Sequence, residues 1–307
     1  MKIVIAGGTG FLGTRLVGSL ADQGHALVVL TRNPDRAAGS HTPSVRLVGW
    51  DAQSQGPWAG ELDGADAVVN LTGETIAGWR WTEQKKRRIR ESRVRATTAL
   101  AEAVRAVRRR PSVFLSMSAV NYYDAFARDA VTESSPPGRS FLSDVTVAWE
   151  QAASSVSELG VRLVLLRTGI VLDAAHGALP YFLLPFRLLL GGPLGTGRQW
   201  FPWIHPDDVL GIMIAALHRD DLEGPLNVVA PGGLTMREFC TALGRALHRP
   251  SWLRVPSPVL RLLLGEMSIL VLGGPRVTPR KALEAGYRFR YPTVDAALER
   301  ILAAPGS

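Results

Sequence analysis

The stretch Gly7-Gly8-Thr9-Gly10-Phe11-Leu12-Gly13 decides the fold of this chain. It directly follows the apolar run Lys2–Ala6 and directly precedes leucines at helical spacing, so it predicts a strand–turn–helix unit. In such a unit Gly7 allows a tight turn, Gly10 lets the backbone approach a pyrophosphate, and Gly13 lets helix and strand pack closely. The free N–H groups and positive dipole end of the helix then hold the anion. We therefore predict a dinucleotide site, since a merely tight turn would not need three glycines at this spacing.

Short apolar runs alternate with amphipathic segments through the first part of the chain. Near-continuous runs of Val, Ile and Leu are typical of parallel strands that have helices on both faces. Their alternation with helical patterns indicates an α/β fold, a Rossmann-type doubly wound parallel sheet. We predict strands at Lys2–Ala6, Ala26–Thr31, Val45–Val48, Ala67–Leu71, Val113–Ser116, Val161–Leu166 and Leu226–Val229.

Beyond residue 171 the chain becomes rich in proline and glycine, which predicts a smaller C-terminal substrate lobe. Within it, Thr235 and Glu238 form a capping-box pattern that predicts a helix running toward Leu247. The predicted Rossmann domain takes residues 1–170 and 208–232, and the predicted lobe takes residues 171–207 and 233–307.

The end of the second predicted strand indicates which nicotinamide cofactor binds. An NAD enzyme places an acidic residue there for the ribose 2′-hydroxyl. Here Thr31 and Arg32 end the strand, and the first carboxylate is Asp35. Arg32 can pair with a 2′-phosphate and Thr31 can donate a hydrogen bond to it, which predicts NADP(H). The alternative is a solvated arginine in a loop.

The composition is that of an ordinary folded protein. Of 307 residues, 46% are hydrophobic and 20% charged, which excludes a disordered chain, a collagen-like repeat and a heptad rod. Cys240 stands alone, so an internal disulfide or a structural zinc site is excluded, and we predict no metal. The chain opens on a strand pattern without a secretory signal, and no apolar run is long enough for a bilayer, so we predict a cytoplasmic protein with no membrane partner.

Basic residues exceed acidic ones by 35 to 27. The densest arginine clusters lie in two helical runs, Lys85–Arg90 and Arg105–Arg110, where a solvated helix face explains them. No nucleic-acid-binding signature accompanies the charge, so we predict no nucleic-acid partner.

Several motifs resemble those of the extended short-chain dehydrogenase/reductase superfamily: the glycine turn and the strand ends Asn70-Leu71-Thr72-Gly73 and Ser116-Met117-Ser118-Ala119. More narrowly, the chain resembles the atypical "epimerase family" proteins, which carry an NAD(P)-dependent epimerase/dehydratase-like part and a C-terminal domain of unknown function. The narrower resemblance rests on Glu74, Arg80-Trp81-Thr82, Ser92-Arg93, Gly197-Arg198-Gln199-Trp200, Trp203-Ile204-His205, Asp207-Asp208 and the tail from Pro279-Arg280-Lys281-Ala282-Leu283 to Tyr291-Pro292.

The resemblance implies further cofactor contacts. Asp51, after the third strand, would lie near the adenine, and Leu71-Thr72-Gly73 would line the cofactor where the fourth strand ends. Arg167-Thr168-Gly169-Ile170-Val171 would lie beside the nicotinamide amide. The full predicted cofactor set is Gly7, Thr9, Gly10, Phe11, Leu12, Gly13, Thr31, Arg32, Asp51, Leu71, Thr72, Gly73, Arg93, Ser116, Arg167, Gly169 and Val171.

The standard catalytic pair of this superfamily is missing. A Tyr-x-x-x-Lys pair places both side chains on one helix face, so that the tyrosine exchanges a proton while the lysine lowers its pKa. Phe141 and Val145 stand at those positions, and neither can carry a proton. Ser118 matches the serine that binds the substrate oxygen, although it could equally cap its own backbone. Tyr122 and Tyr123 are the nearest candidates for proton transfer.

Two acidic or amide residues flank these tyrosines. The family often has glycine where this chain has Asn121 and Asp124. Asp124 could act as an acid or base, but a turn aspartate is the favoured interpretation.

A passage rich in aromatic residues predicts a substrate wall, formed by Arg198, Gln199, Trp200 and Trp203. The guanidinium could bind an anionic group and the tryptophans offer flat apolar contact. Core packing is an equally good interpretation for Trp200 and Trp203. His205 is interpreted as a structural link at the lobe junction rather than a catalytic base.

Two functions remain open. The first is an NADP(H)-dependent oxidoreductase or epimerase-like enzyme acting on a small carbonyl, hydroxyl or sugar-like molecule. The second is a non-catalytic sensor that binds NADP(H), suggested by the replaced pair. The oligomeric state is open, and a homodimer is one form compatible with the sequence.

Overall fold

A seven-stranded parallel sheet forms the centre of the protein in a computed structural model, which describes residues 1–37, 44–78 and 80–303. The strands follow the order β3-β2-β1-β4-β5-β6-β9. Their bounds are β1 Lys2–Ala6, β2 Ala26–Thr31, β3 Val45–Gly49, β4 Ala67–Asn70, β5 Val113–Ala119, β6 Arg162–Thr168 and β9 Gly224–Val228. A separate parallel pair joins β7, Ile170–Val171, to β8, Trp203–Ile204. The predicted fold class is confirmed.

The helices have the bounds α1 Phe11–Asp22, α2 Pro34–Ala37, α3 Glu83–Ala106, α4 Phe141–Ser154, α5 Leu179–Arg187, α6 Pro206–His218, α7 Met236–Leu247, α8 Ser257–Leu264, α9 Ile269–Leu272, α10 Arg280–Glu284 and α11 Val294–Ala303. Short 3-10 helices cover Pro57–Leu62, Val120–Tyr122, Ser157–Leu159 and Gly265–Ser268. The predicted capping box is present, with Thr235 and Glu238 bonded reciprocally at the start of α7.

Each face of the sheet buries its own apolar core. One core packs Leu16 of α1 and Ile212 of α6 against the sheet, and the other packs Leu100 of α3 and Ala153 of α4 against the opposite face. Two-sided burial explains why the strands read as continuous apolar runs.

A third apolar core belongs to the smaller lobe. It gathers α5, α7 and α11 around aromatic side chains such as Phe186, Phe201 and Phe239. Most of its members fall within the ranges predicted for the lobe. Ala282 of α10 and Tyr287, by contrast, pack on the α1 face of the sheet, so part of the C-terminal tail covers the nucleotide-binding half.

Strands β5 and β6 extend beyond their predicted ends. Their pairing continues to Ala119 and Thr168, past the apolar runs. Ser118 and Arg167 can lie in these strands although they are polar, because both donate hydrogen bonds to the buried carboxylate of Glu150. All seven strands end at the same edge of the sheet. Strands β2 and β3 are added on one side of β1, and β4 and the later strands on the other side. The point between β1 and β4, where the order of strands changes side, is where α/β proteins place their ligands.

Candidate cofactor and substrate site

The glycine turn joins β1 to α1 with a backbone approach that requires glycine. A Cβ atom at Gly13 would lie 2.2 Å from the carbonyl oxygen of Gly7, and one at Gly7 would lie 2.9 Å from the carbonyl carbon of Leu71. Gly7 also has a φ of 80°, which side chains disfavour. The Gly10 N–H donates to the Gly7 carbonyl over 3.1 Å, and no side chain caps α1. The first N–H groups of the helix are thus available to an anion.

The end of β2 carries the residues predicted to recognise a 2′-phosphate. Arg32 is exposed and forms no ion pair with any described residue. Thr31 is buried, and its hydroxyl oxygen accepts a hydrogen bond from the Asn33 N–H over 3.4 Å. The nearest carboxylate in sequence, Asp35, is in the first turn of α2. Among the described residues, a cation without a hydrogen-bond partner, rather than a carboxylate, therefore lies directly at this strand end.

Asp51 follows β3 and forms a turn of its own. Its carboxylate accepts from the Ser54 hydroxyl and from the N–H groups of Ser54 and Gln53. These bonds, led by the Ser54 hydroxyl, lower the pKa of Asp51. The contact with adenine remains a prediction.

The chain leaving β4 runs along the glycine turn. The Leu71 N–H donates to the Ala6 carbonyl. The side-chain oxygen of Asn70 accepts hydrogen bonds from both the N–H and the hydroxyl of Thr72. Beyond it, Gly73 lies against Arg93 of α3: a Cβ at Gly73 would be 3.2 Å from the guanidinium carbon.

Glu74 begins a charged group that sequence analysis missed. Its N–H donates to the Ser92 hydroxyl, and its carboxylate lies 2.7 Å from the Lys85 ammonium and 3.6 Å from Arg88. The hydrogen bond from Lys85 lowers the pKa of Glu74.

A segment of the smaller lobe lies across the first turn of α1. The His176 ring stacks on Phe11 with a centroid distance of 4.6 Å, and Arg15 lies over the same Phe11 ring. Asp173 holds this segment, because it bonds to Arg15 over 2.8 Å and to His176 over 3.0 Å. Nothing in the local sequence pattern predicted this contact between distant segments.

The helix that lacks the catalytic pair keeps its predicted position. Phe141 begins α4, and Val145 one turn later is buried. Trp81 meets Phe141 edge to face at 5.5 Å, and the Lys86 ammonium lies 5.5 Å from the centre of the same ring. An aromatic and cationic wall thus occupies the place of the tyrosine.

Ser118 is bonded inside the protein. It is 3% exposed, and its hydroxyl donates to Glu150 of α4 over 2.5 Å. Arg167 pairs with the same carboxylate through two 2.8 Å bonds and is itself 2% exposed. Burial lowers the pKa of Arg167, but the hydrogen bonds and charge of Glu150 outweigh it and raise the pKa overall.

These partners bear on two predicted roles. The Arg167 side chain donates within the protein through Nε, Nη1 and Nη2, so the position of the segment 167–171 beside the nicotinamide amide stays a prediction. The Ser118 hydroxyl proton is donated to Glu150, and its hydrogen bond with a substrate oxygen likewise stays a prediction.

The two tyrosines differ. The Tyr123 ring is 1% exposed, and its hydroxyl donates to Asn227 over 2.6 Å while accepting from Arg167 over 3.0 Å. Burial raises the pKa of Tyr123, which makes it the less suited of the two tyrosines to proton transfer, and that predicted role is not tested. Tyr122 is partly exposed, and its hydroxyl has no hydrogen-bond partner within the described residues. The Arg167 guanidinium carbon lies only 3.4 Å from the centre of the Tyr122 ring.

Of the other predicted cofactor residues, Ser116 is fully buried, and its hydroxyl accepts a hydrogen bond from the Asn70 amide over 3.4 Å; its contact with the cofactor stays a prediction. Gly169 serves packing, because a Cβ there would lie 2.5 Å from the Pro202 carbonyl oxygen. Three partly buried residues, Leu12, Leu71 and Val171, pack against the same apolar core at the edge where the turn lies.

The predicted substrate wall divides into buried and open residues. Trp203 is 1% exposed, and the amide nitrogen of Gln199 donates to the carbonyls of Leu194 and Val271, so both side chains pack or bond within the protein and their substrate contacts stay predictions. Trp200 is partly exposed and stacks with Arg276, 5.0 Å from the ring centre, while Arg198 is exposed.

His205 and Asp124 have the structural roles that the sequence favoured. His205 is buried and caps α6, with its Nδ1 accepting from the Asp207 N–H, and burial lowers the pKa of His205. Asp124 accepts from the Phe126 N–H in a turn.

Over residues 1–37, 44–78 and 80–303, no group of three or more His, Cys, Asp or Glu side chains is placed to hold a metal ion. In the same ranges, no helix combines the length and apolar character that crossing a membrane would require.

Comparison with known proteins gives two family matches. Residues 3–229 match the NAD dependent epimerase/dehydratase family, and residues 255–301 match a domain of unknown function, DUF1731. The Bacillus subtilis epimerase family protein YfhF is 38% identical over 304 residues, which cover 99% of this chain and 98% of that protein.

Two solved structures are similar over nearly the whole chain. The crystal structure of the human epimerase family protein SDR39U1, determined with NADPH, is 36% identical with a TM-score of 0.86, and covers 98% of this chain and 99% of that one. A nucleoside-diphosphate sugar epimerase from Corynebacterium glutamicum is 30% identical with a TM-score of 0.77, and the match covers 98% of this chain and 58% of that one. With the glycine turn and the seven-stranded sheet in place, this chain belongs to the NAD dependent epimerase/dehydratase family, with a C-terminal DUF1731 domain.

Proposed function

We propose that this protein binds NADP(H) and is an oxidoreductase or epimerase-type enzyme for a small carbonyl, hydroxyl or sugar-like substrate. The observation that carries the proposal is the close approach at Gly7 and Gly13. A Cβ at Gly13 would lie 2.2 Å from the Gly7 carbonyl oxygen, and a turn this tight brings the free N–H groups of α1 close to where a pyrophosphate binds. The similarity to a human protein crystallised with NADPH supports the same cofactor.

The residues present fit this cofactor along one edge of the sheet. The turn Gly7–Gly13 would hold the pyrophosphate, Arg32 the 2′-phosphate, and the segment Leu71–Gly73 the nicotinamide half, with Asp51 near the adenine. When bound, the cofactor supplies or accepts a hydride. The third core of the protein, in the smaller lobe, would support the substrate contacts.

Tyr122 is the residue proposed to exchange the proton. Its hydroxyl is free of protein partners within the described residues, whereas those of Ser118 and Tyr123 are bonded inside the protein. The Arg167 guanidinium carbon lies 3.4 Å from the centre of the Tyr122 ring, and this cation–π contact holds the ring in place. Arg167 would thus act through Tyr122 as a positioning residue.

The test is single-turnover oxidation of bound NADPH, followed by absorbance, with a panel of small carbonyl compounds and sugar nucleotides. A responding substrate is expected, and Tyr122→Phe should slow it by about 100-fold or more without changing NADPH affinity. Tyr181→Phe, at an exposed tyrosine of α5, is the matched control and should leave the rate unchanged. Equal rates for Tyr122→Phe and the wild type would contradict the role of Tyr122.

A second candidate function is a sensor of the NADP(H) redox state. It is favoured by Phe141 and Val145 in place of the catalytic pair and by the bonded hydroxyls of Ser118 and Tyr123. It predicts no turnover across the panel and different affinities for NADPH and NADP+. Equal affinities for the two forms would contradict it.

A further inference from the structure

Arg93 of α3 is a desolvated cation that lacks a carboxylate partner. A guanidinium has five N–H donors, yet the hydrogen bond found for this side chain within the described residues is the one from Nη1 to the Ile89 carbonyl, 3.0 Å. No Asp or Glu of the described residues lies within ion-pair distance of it. Desolvation lowers the pKa of Arg93 to about 10, against a smaller opposing effect of Glu74.

The position of this guanidinium places it at the candidate site. It lies against Gly73, 3.2 Å from where a Cβ would stand, and 5.2 Å from the centre of the Trp149 ring of α4. Trp149 is one helical turn beyond Val145. Arg93 therefore lies between the end of β4 and the helix that lacks the catalytic pair.

The surrounding charges do not neutralise it. Glu74 is the nearby carboxylate, and it is already paired with Lys85 at 2.7 Å and with Arg88 at 3.6 Å. Together with Arg93, this cluster holds three cations against one anion. The phosphates of a dinucleotide are assigned to the α1 turn, and the nicotinamide riboside that would reach β4 carries no negative charge.

In place of the cofactor contact predicted for Arg93 from the sequence, we propose that Arg93 binds an anionic group of the substrate, a carboxylate or a phosphate, at the end of β4. This inference rests on the proposed function, since it puts the substrate beside the nicotinamide half of the cofactor. A planar guanidinium with unused donors matches the oxygen pairs of such groups, and partial burial strengthens the contact. The substrate class is then a small anionic carbonyl or hydroxyl compound, such as an oxo acid, a hydroxy acid or a phosphorylated sugar.

The test uses calorimetric titration of the NADPH-bound protein with sodium acetate and, separately, with inorganic phosphate, at constant ionic strength. Bound NADPH fills the α1 turn, so phosphate cannot be taken up there. Saturable uptake of at least one of the two anions is expected, and it distinguishes a carboxylate site from a phosphate site. Arg93→Met should weaken that uptake about tenfold or more, and Arg93→Lys should restore part of it.

Arg95→Met is the matched control. It removes the same charge from the same helix, but Arg95 is exposed and pairs with Glu91, so anion uptake should not change. Equal uptake by Arg93→Met and the wild type, or no saturable uptake of either anion, would overturn the inference. So would a loss of NADPH affinity in Arg93→Met with no anion uptake, which would make the cofactor itself the partner of Arg93. Failure of the wild type to bind NADPH would overturn the proposed function as well. It would be seen in the NADPH titration that precedes the anion titrations.

Discussion

The two ends of the candidate site use their polar groups in opposite ways. At the cofactor end, the first N–H groups of α1 and the Arg32 guanidinium have no protein partner within the described residues. At the catalytic end, below β5 and α4, Ser118, Glu150 and Arg167 bond to one another in the interior. The first end thus leaves polar groups open to a ligand, whereas the second uses its polar groups to hold the protein together, with Arg167 packed against the Tyr122 ring.

Breaking the buried pair should therefore have the largest effect, and it should appear in stability. Arg167→Met would leave Glu150 buried without its cation, and we expect the free energy of unfolding to fall by about 3–5 kcal/mol. Urea unfolding followed by circular dichroism measures it. Arg198→Met removes an exposed arginine and should change stability by no more than about 0.5 kcal/mol. A similar small loss for both variants would remove the distinction between the two ends.

At the cofactor end, the effect should appear in binding. Gly13→Ala puts a Cβ 2.2 Å from the Gly7 carbonyl oxygen, and the displaced backbone should weaken NADPH binding by about 100-fold. Gly18→Ala in the same helix is the control, because a Cβ there meets no atom within 4 Å. It should keep NADPH affinity and stabilise α1 by up to about 1 kcal/mol. Fluorescence titration with NADPH measures these affinities. Equal NADPH affinities of Gly13→Ala and the wild type would argue against a phosphate site at this turn.

Replacement of Arg32 should have a smaller effect on NADPH affinity than Gly13→Ala. Arg32→Gln removes a charge-assisted bond to the 2′-phosphate, so NADPH affinity should fall about tenfold while NADH affinity stays the same. Titration of the wild type and of Arg32→Gln with NADPH and with NADH tests this. A parallel loss for NADPH and NADH would assign Arg32 to some other part of the cofactor.

The smallest effect concerns His205, the buried cap of α6. Burial lowers the pKa of His205 below its ordinary 6.5, so the unfolded chain takes up the proton first as the pH falls. Its contribution to stability is present at neutral pH and is lost on acidification through 6.5, with a slope of at most about 1.4 kcal/mol per pH unit. His205→Asn replaces the capping nitrogen by an amide oxygen that does not titrate, so the unfolding free energy of the variant should vary less between pH 7 and pH 5. Identical pH slopes in the variant and the wild type would contradict this assignment.

The same comparison explains what the sequence could predict. The cofactor end depends on neighbours in the chain, because the glycines of one turn are a local pattern with a known geometry. The capping box of Thr235 and Glu238 at the start of α7, in the smaller lobe, is another such local pattern. The catalytic end joins Ser118, Glu150, Arg167 and Asn227 from four separate segments. No local spacing indicates such a network. Because Ser118 and Arg167 are polar, the predicted strands β5 and β6 also ended before the positions where the pairing ends.

Calorimetric titration of the purified wild-type protein with NADPH, and then with NADH, decides whether the Gly7–Gly13 turn binds a dinucleotide. We expect saturable uptake of one NADPH per chain, with weaker uptake of NADH because Arg32 would lack its phosphate partner. Absence of uptake of either nucleotide would contradict the assignment of the Gly7–Gly13 turn to a dinucleotide, and with it the proposed function.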